Sequence, residues 1–106
     1  METSTALIYN VTNKVSHHIH KDWLTWMRHH HIPAVLATGC FFKAVLLRLK
    51  GVDDEEGPTY AIQYHATGEA DYERYLSDFA APLRQETLDK WGDQFMAFRT
   101  VMEVVD

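Results

Sequence analysis

The residues with the most obvious chemistry are seven histidines, one cysteine and a few polar side chains set in apolar runs. Six of the histidines, His17, His18, His20, His29, His30 and His31, lie in one stretch with Asp22 among them. His18 and Asp22 are spaced i, i+4 and His17 and His20 i, i+3, so each pair would share a helix face, but on opposite flanks. Zinc takes four ligands, or three and a water. Neither pair has a third ligand in view, and the single Cys40 offers no cluster. The expectation is solvent-exposed histidines and no metal site, with His30 partly buried beside tryptophans.

His31 stands apart because it directly precedes Ile32-Pro33. A helix ending there would favour a protonated imidazole on its last carbonyls, and such ends also line clefts. His31 is therefore either a capping group or a pocket residue. Cys40 follows Gly39 at the start of a strand and reads as a small buried hydrophobe rather than a nucleophile. There is no Ser/His/Asp order, no phosphate-binding glycine loop and no paired-carboxylate signature.

Four further residues matter through the elements that carry them. Residues 6–13, ALIYNVTN, alternate as a strand. Ser16 suits the N-cap of an amphipathic helix from His17 to about His30, with Ile19, Trp23, Trp26, Met27 and His30 on one stripe. Pro33 interrupts it, Ala34 to Leu36 adds a turn and Gly39 stops it. Phe41 to Leu49 is a second strand, and Lys50 to Pro58 an exposed loop whose acidic run is solvated. Thr59 to Thr67 is the third strand. A second helix follows, with Glu69, Asp71 and Glu73 in its first turn and Tyr72, Leu76, Phe79 and Leu83 as its stripe. Pro82 predicts a break near Ala81, and Leu88 and Trp91 continue the apolar face to Gly92. Phe95 to Val105 is the last strand.

The order predicts an α+β, ferredoxin-like βαββαβ sandwich over residues 1–106 as one domain: a four-stranded antiparallel sheet with two helices on one face, β1 and β3 central. Alternation then assigns the faces. Leu7, Tyr9, Val11, Val45, Leu47, Leu49, Tyr60, Ile62, Tyr64, Met96, Phe98, Met102 and Val104 are expected under the helices, with Thr100 among them. Ile8, Asn10, Thr12, Phe42, Ala44, Leu46, Arg48, Ala61, Gln63, His65, Ala97, Arg99, Val101 and Glu103 are expected on the open face. That face is half apolar, and its simplest cover is a second copy, which predicts a homodimer through the sheet face or its edges. Arg99, Gln63, His65 and Asn10 would converge there, satisfied either by the packing of the two sheets in a dimer or by a small anion or polar metabolite anchored on Arg99. Glu103, four residues along the strand and roughly 13 Å away, cannot pair with Arg99 within one chain, though across a dimer it could.

The balance of charge limits the partners. Net charge is −5 with neutral histidines, and no Lys/Arg cluster exists, which argues against nucleic acid, including an RNA-recognition-like sheet. No apolar run approaches the ~18 residues of a membrane span, and METSTALIYN has no leader features. With one cysteine and no disulfide possible, the chain is expected to be cytoplasmic.

Several segments carry a resemblance: Ile8-Tyr9-Asn10-Val11-Thr12, Trp23-Leu24 with Trp26-Met27, and His31-Ile32-Pro33 with Val35 to Gly39. Thr59 to Tyr64, Leu83-Arg84 and Ala97 to Thr100 with Glu103 extend it. Together they resemble an uncharacterised bacterial family known only as a domain of unknown function, itself similar to the dimeric α+β barrel superfamily. The resemblance implies two ferredoxin-like sheets face to face and no particular activity. Haem-degrading members of the superfamily use an Asn on the first strand, a Trp on the third and a His on the second helix. Asn10 matches, but the other two positions are missing, so that chemistry is not carried over. No cofactor is expected. The sequence leaves two readings: a small-molecule-binding protein or cofactor-independent enzyme, with its site between sheet and helices or between two sheets, or a non-catalytic dimeric interaction module.

Overall fold

The structure, a computed structural model, describes residues 4–106; Met1–Thr3, part of the stretch read for leader features, lie outside the described residues. The elements run β1 (Leu7–Val15), α1 (His20–Trp26), α2 (Ile32–Ala37), β2 (Lys43–Arg48), β3 (Thr59–Ala66), α3 (Glu69–Asp78), α4 (Ala80–Trp91) and β4 (Phe95–Glu103). The strands pair antiparallel in the order β2-β3-β1-β4. This is the ferredoxin-like order read from the sequence, with β1 and β3 central and each helical segment divided in two.

Both helical layers lie on one face. Trp23 of α1 packs 5.6 Å from Tyr60 of β3, and Tyr75 of α3 packs 5.6 Å from Tyr9 of β1. Tyr60 pairs with Asn13, four residues from Tyr9, so both tyrosines rise from the same side of the pleat. Trp23, Tyr64, Ile62 and Val35 are fully buried between the layers. Aromatic rings of this size each remove on the order of 150–250 Å² from water, and Tyr9, Phe41, Tyr64 and Tyr75 form one contiguous stack.

The helices start and break where backbone chemistry requires. Ser16 does not cap α1; its hydroxyl and carbonyl accept from His18 N and Ile19 N, forming a turn that delays the helix to His20. Pro33 does not end the first helical segment. A π turn over Met27–His31 joins α1 to α2, with Ile32 N donating to Met27 O. Proline lacks the N–H that would bond four residues back and its ring crowds that carbonyl; a wider turn relieves both. The segment stops at Ala37, followed by Gly39 at φ +79°, where a side chain would be strained. The second segment breaks at Phe79, two residues before the expected position. Pro82 thereby falls in the first turn of α4, where N–H groups have no intrahelical partner. Leu76 and Leu88 of the expected apolar stripe are exposed.

The acidic loop is tied down more firmly than its composition suggests. Asp54 pairs with Arg48 at 2.9 Å, Val15 N donates to Pro58 O, and His17 N to Glu56 O. At Gly57 the backbone passes so close to β1 that a Cβ would lie 1.7 Å from Val15 O.

The face assignment is correct for β1 and β3 and reversed for β2 and β4. Tyr64 pairs with Ala44 and Ile62 with Leu46, which places Ala44, Leu46 and Arg48 under the helices and Val45 and Leu47 on the open face. Tyr9 pairs with Val101 and Val11 with Arg99. Phe95, Ala97, Arg99, Val101 and Glu103 therefore face the helices, while Met96, Phe98, Thr100 and Met102 face outward. The reason is that both strands are apolar on both sides. A strand covered on two faces loses the alternation that would orient it.

Candidate functional site

Reversing β4 moves Arg99 from the open face into the space between sheet and helices. A cavity of about 280 Å³ lies there. Its floor comes from β1 and β3: Tyr9, Val11 and Asn13 beside Ile62 and Tyr64. Ala97, Arg99 and Phe95 of β4 form one wall, and Arg84, Thr87 and Leu88 of α4 another. Met27 and His31 close it from the π turn, and Tyr75 from α3. The cavity opens to solvent where Leu88 and Arg99 are exposed.

The polar end is organised around one oxygen. Arg84 Nη2 donates to the Tyr9 hydroxyl at 3.0 Å and Arg99 Nε donates to the same oxygen at 3.1 Å. Neither guanidinium has a carboxylate within salt-bridge distance among the described residues, and no Asp or Glu lines the cavity. Two cations from different layers thus converge on a neutral acceptor. Tyr9 holds both bonds on its oxygen, so its own hydrogen remains available to donate. Arg84 Nε and the Tyr64 hydroxyl are buried and have no protein partner. Burial pushes the Tyr75 hydroxyl up to about 12, and raises that of Tyr64 further still. Both phenols keep their protons at neutral pH and can donate.

One helical turn on from Arg84, Thr87 donates to Leu83 O at 3.2 Å. With its only hydrogen so engaged, its oxygen accepts from His31 Nδ1 at 3.4 Å. That arrangement leaves Nε2 as the acceptor nitrogen of a neutral ring. Trp26 stacks on the imidazole at 5.2 Å. Burial is the main cause that lowers His31 to about 4; Arg99 and His30 act in the same direction against the raising influence of Glu86. His31 is therefore a pocket residue and not a protonated cap, because the helix continues past Pro33 and leaves no terminal carbonyls beside it.

The predicted site residues divide between two faces. Arg99 and His31 meet in the cavity. Asn10, Gln63 and His65 stay on the open face, where Asn10 pairs with Gln63 across β1 and β3. Asn10 donates to Thr12 Oγ1 at 3.0 Å, and His65 Nδ1 lies 2.9 Å from Thr5 Oγ1. The open face also carries Leu47, Met96, Phe98 and Met102, all exposed, with Phe98 and Met96 each 57% exposed. The remaining histidines go separate ways. His17 meets Asp54 O, His20 meets the Tyr60 hydroxyl, and His30 pairs with Glu86 at 2.8 Å while stacked, though exposed, on Trp26. Among the described residues no group of three or more His, Cys, Asp or Glu could hold a metal ion.

Arg84 is the charged cavity side chain that the sequence reading did not single out. The signal was present: it lies between Leu83 and Thr87-Leu88, on the inward stripe of an amphipathic helix, where a cation needs a reason. Cys40 is buried as expected.

Among the described residues no helix is long and apolar enough to cross a membrane. No curated protein matches the sequence. The fold is similar to that of a crystallised dimeric ferredoxin-like protein from an uncultured marine organism. That protein is 13% identical, with a TM-score of 0.61 over 97% of this chain and 98% of its own. A family model described as a domain of unknown function matches residues 6–105.

Proposed function

We propose that this chain, which belongs to the DUF4286 family of unknown function, binds a small anionic molecule in the cavity between its sheet and its helices. The observation that carries this reading is the convergence of Arg84 and Arg99 on the Tyr9 hydroxyl with no carboxylate to neutralise them. Arg84 is half-buried, with its Nε shut off from water, and carries a desolvation cost that a nearby anion offsets. The planar forks of Arg84 and Arg99 match oxygen pairs, and the free hydrogen of the Tyr9 hydroxyl supplies a further donor. His31 stays neutral beside them and adds no charge to the site.

Native mass spectrometry of the purified protein tests the reading. Co-purified or added small anions should ride on the wild-type chain, and Arg84→Gln with Arg99→Gln should lose them. Equal retention by the double variant would refute it.

The protein is further proposed to work as a homodimer joined through the open sheet face. Phe98, Met96, Met102 and Leu47 give that face an apolar patch of the kind a second copy covers. The structurally similar protein is itself dimeric. In this arrangement Asn10, Gln63 and His65 settle into the interface, and the anion cavity lies behind the sheet in each copy. A dimeric interaction module without a ligand accounts for the patch but leaves the two arginines without a counter-charge among the described residues.

A further inference from the structure

The geometry points to an aromatic carboxylic acid of single-ring size as the occupant of the cavity, an inference that rests on the anion-binding reading above. Size is the first constraint. At about 280 Å³ the cavity falls just below the ~300–1,000 Å³ of ordinary small-molecule pockets, which suits one ring and its substituents and not a nucleotide.

The polar end fixes the head group. Donors gather at one end of the cavity: the free hydrogen of Tyr9 and the remaining guanidinium N–H groups of Arg84 and Arg99. A carboxylate has about four lone-pair sites on two oxygens and no hydrogen to donate, so it satisfies this set without adding an unmatched donor. The planar fork of arginine favours the same partner.

The rest of the cavity fixes the body. Val11 and Ile62 lie side by side in the ladder as an apolar floor, and inorganic phosphate would leave that floor wetted. The surrounding rings and the Met27 thioether select a flat group over a flexible chain. Tyr9 is stacked on Tyr64 at 6.0 Å and tilted against Tyr75 at 5.6 Å, so the rings are held in place before any ligand arrives. Binding to such a preformed, apolar slot costs a rigid ring less ordering entropy than an alkyl chain.

The test is a titration of the isotope-labelled protein followed by ¹H–¹⁵N NMR, with benzoate, benzamide, hexanoate and inorganic phosphate as probes. Benzoate should saturably shift the Arg84 and Arg99 Nε–H signals and the Val11 and Ala97 amides. Benzamide, which keeps the ring and loses the charge, should bind about tenfold more weakly or worse, as should hexanoate and phosphate. Arg99→Gln should weaken benzoate by roughly tenfold to a hundredfold. The wild-type probe series stands even if that variant folds poorly. Phosphate, hexanoate or benzamide binding at the same signals as tightly as benzoate would overturn the aromatic-acid inference. Phosphate or hexanoate doing so would leave the anion site standing. Failure of every anion to move the two arginine signals would overturn both.

Discussion

Arg99 and Tyr9 sit on neighbouring strands two register positions apart, and the arginine Nε reaches the phenol oxygen at 3.1 Å. Arg84 reaches the same oxygen from the helical layer, which makes Tyr9 a polar bridge joining α4, β1 and β4. Tyr9→Phe keeps the ring stack and removes the acceptor. It should cost about 1–2 kcal/mol in urea unfolding and release both arginines. An unchanged midpoint would mean that the two bonds contribute nothing.

The neutral His31 gives stability a pH dependence of known sign. Its folded value is about 4 against 6.5 for the free side chain. The unfolded chain therefore binds a proton more readily between those values. The resulting stability is complete above about pH 6.5 and is lost progressively as pH falls towards 4, by roughly 3 kcal/mol. Melting curves at pH 7.5, 6 and 4.5 should fall more steeply for the wild type than for His31→Gln. Parallel curves would show that the ring is free to protonate in the folded protein.

The open face makes a separate prediction about assembly. Light scattering should give twice the 12.3 kDa chain mass, and Phe98→Asp should reduce it to one chain without unfolding the protein. Phe98 is exposed in the single chain and faces away from the cavity. A dimer that survives Phe98→Asp would place the interface elsewhere.

Gly57 should tolerate no side chain. An alanine Cβ would meet Val15 O at 1.7 Å, and both partners are backbone, so β1 and the loop after β2 would have to separate. Gly57→Ala should lower stability by several kcal/mol, in the range ~3–5. A melting temperature within a degree or two of wild type would contradict the close approach.

The architecture was readable in the sequence because its signals were local. Strand alternation in ALIYNVTN, the Trp23/Trp26 stripe and Pro82 each marked an element. The open face of β1 and β3 was readable too, since Asn10, Thr12, Gln63 and His65 contrast with Tyr9, Val11, Ile62 and Tyr64. β4 offered no such contrast. Met96, Phe98 and Met102 are its greasier side, and they face outward. The smaller Ala97 and the cationic Arg99 face the helices, because that side of the strand lines a cavity instead of a filled core. Choosing the greasier side for the core thus placed Arg99 on the wrong face. His31 was obscured by Pro33, which widens the helix where a break was expected. Arg84 needed the tertiary meeting of α4 with β4, which no spacing within the chain records.

The most direct test of the anion site is a crystal of the protein soaked in bromide, with anomalous scattering used to locate the halide. A peak between the Arg84 and Arg99 guanidinium groups, beside the Tyr9 hydroxyl, is the expected result. Bromide bound elsewhere, with both arginines turned to solvent and the cavity closed by its own side chains, would contradict the account.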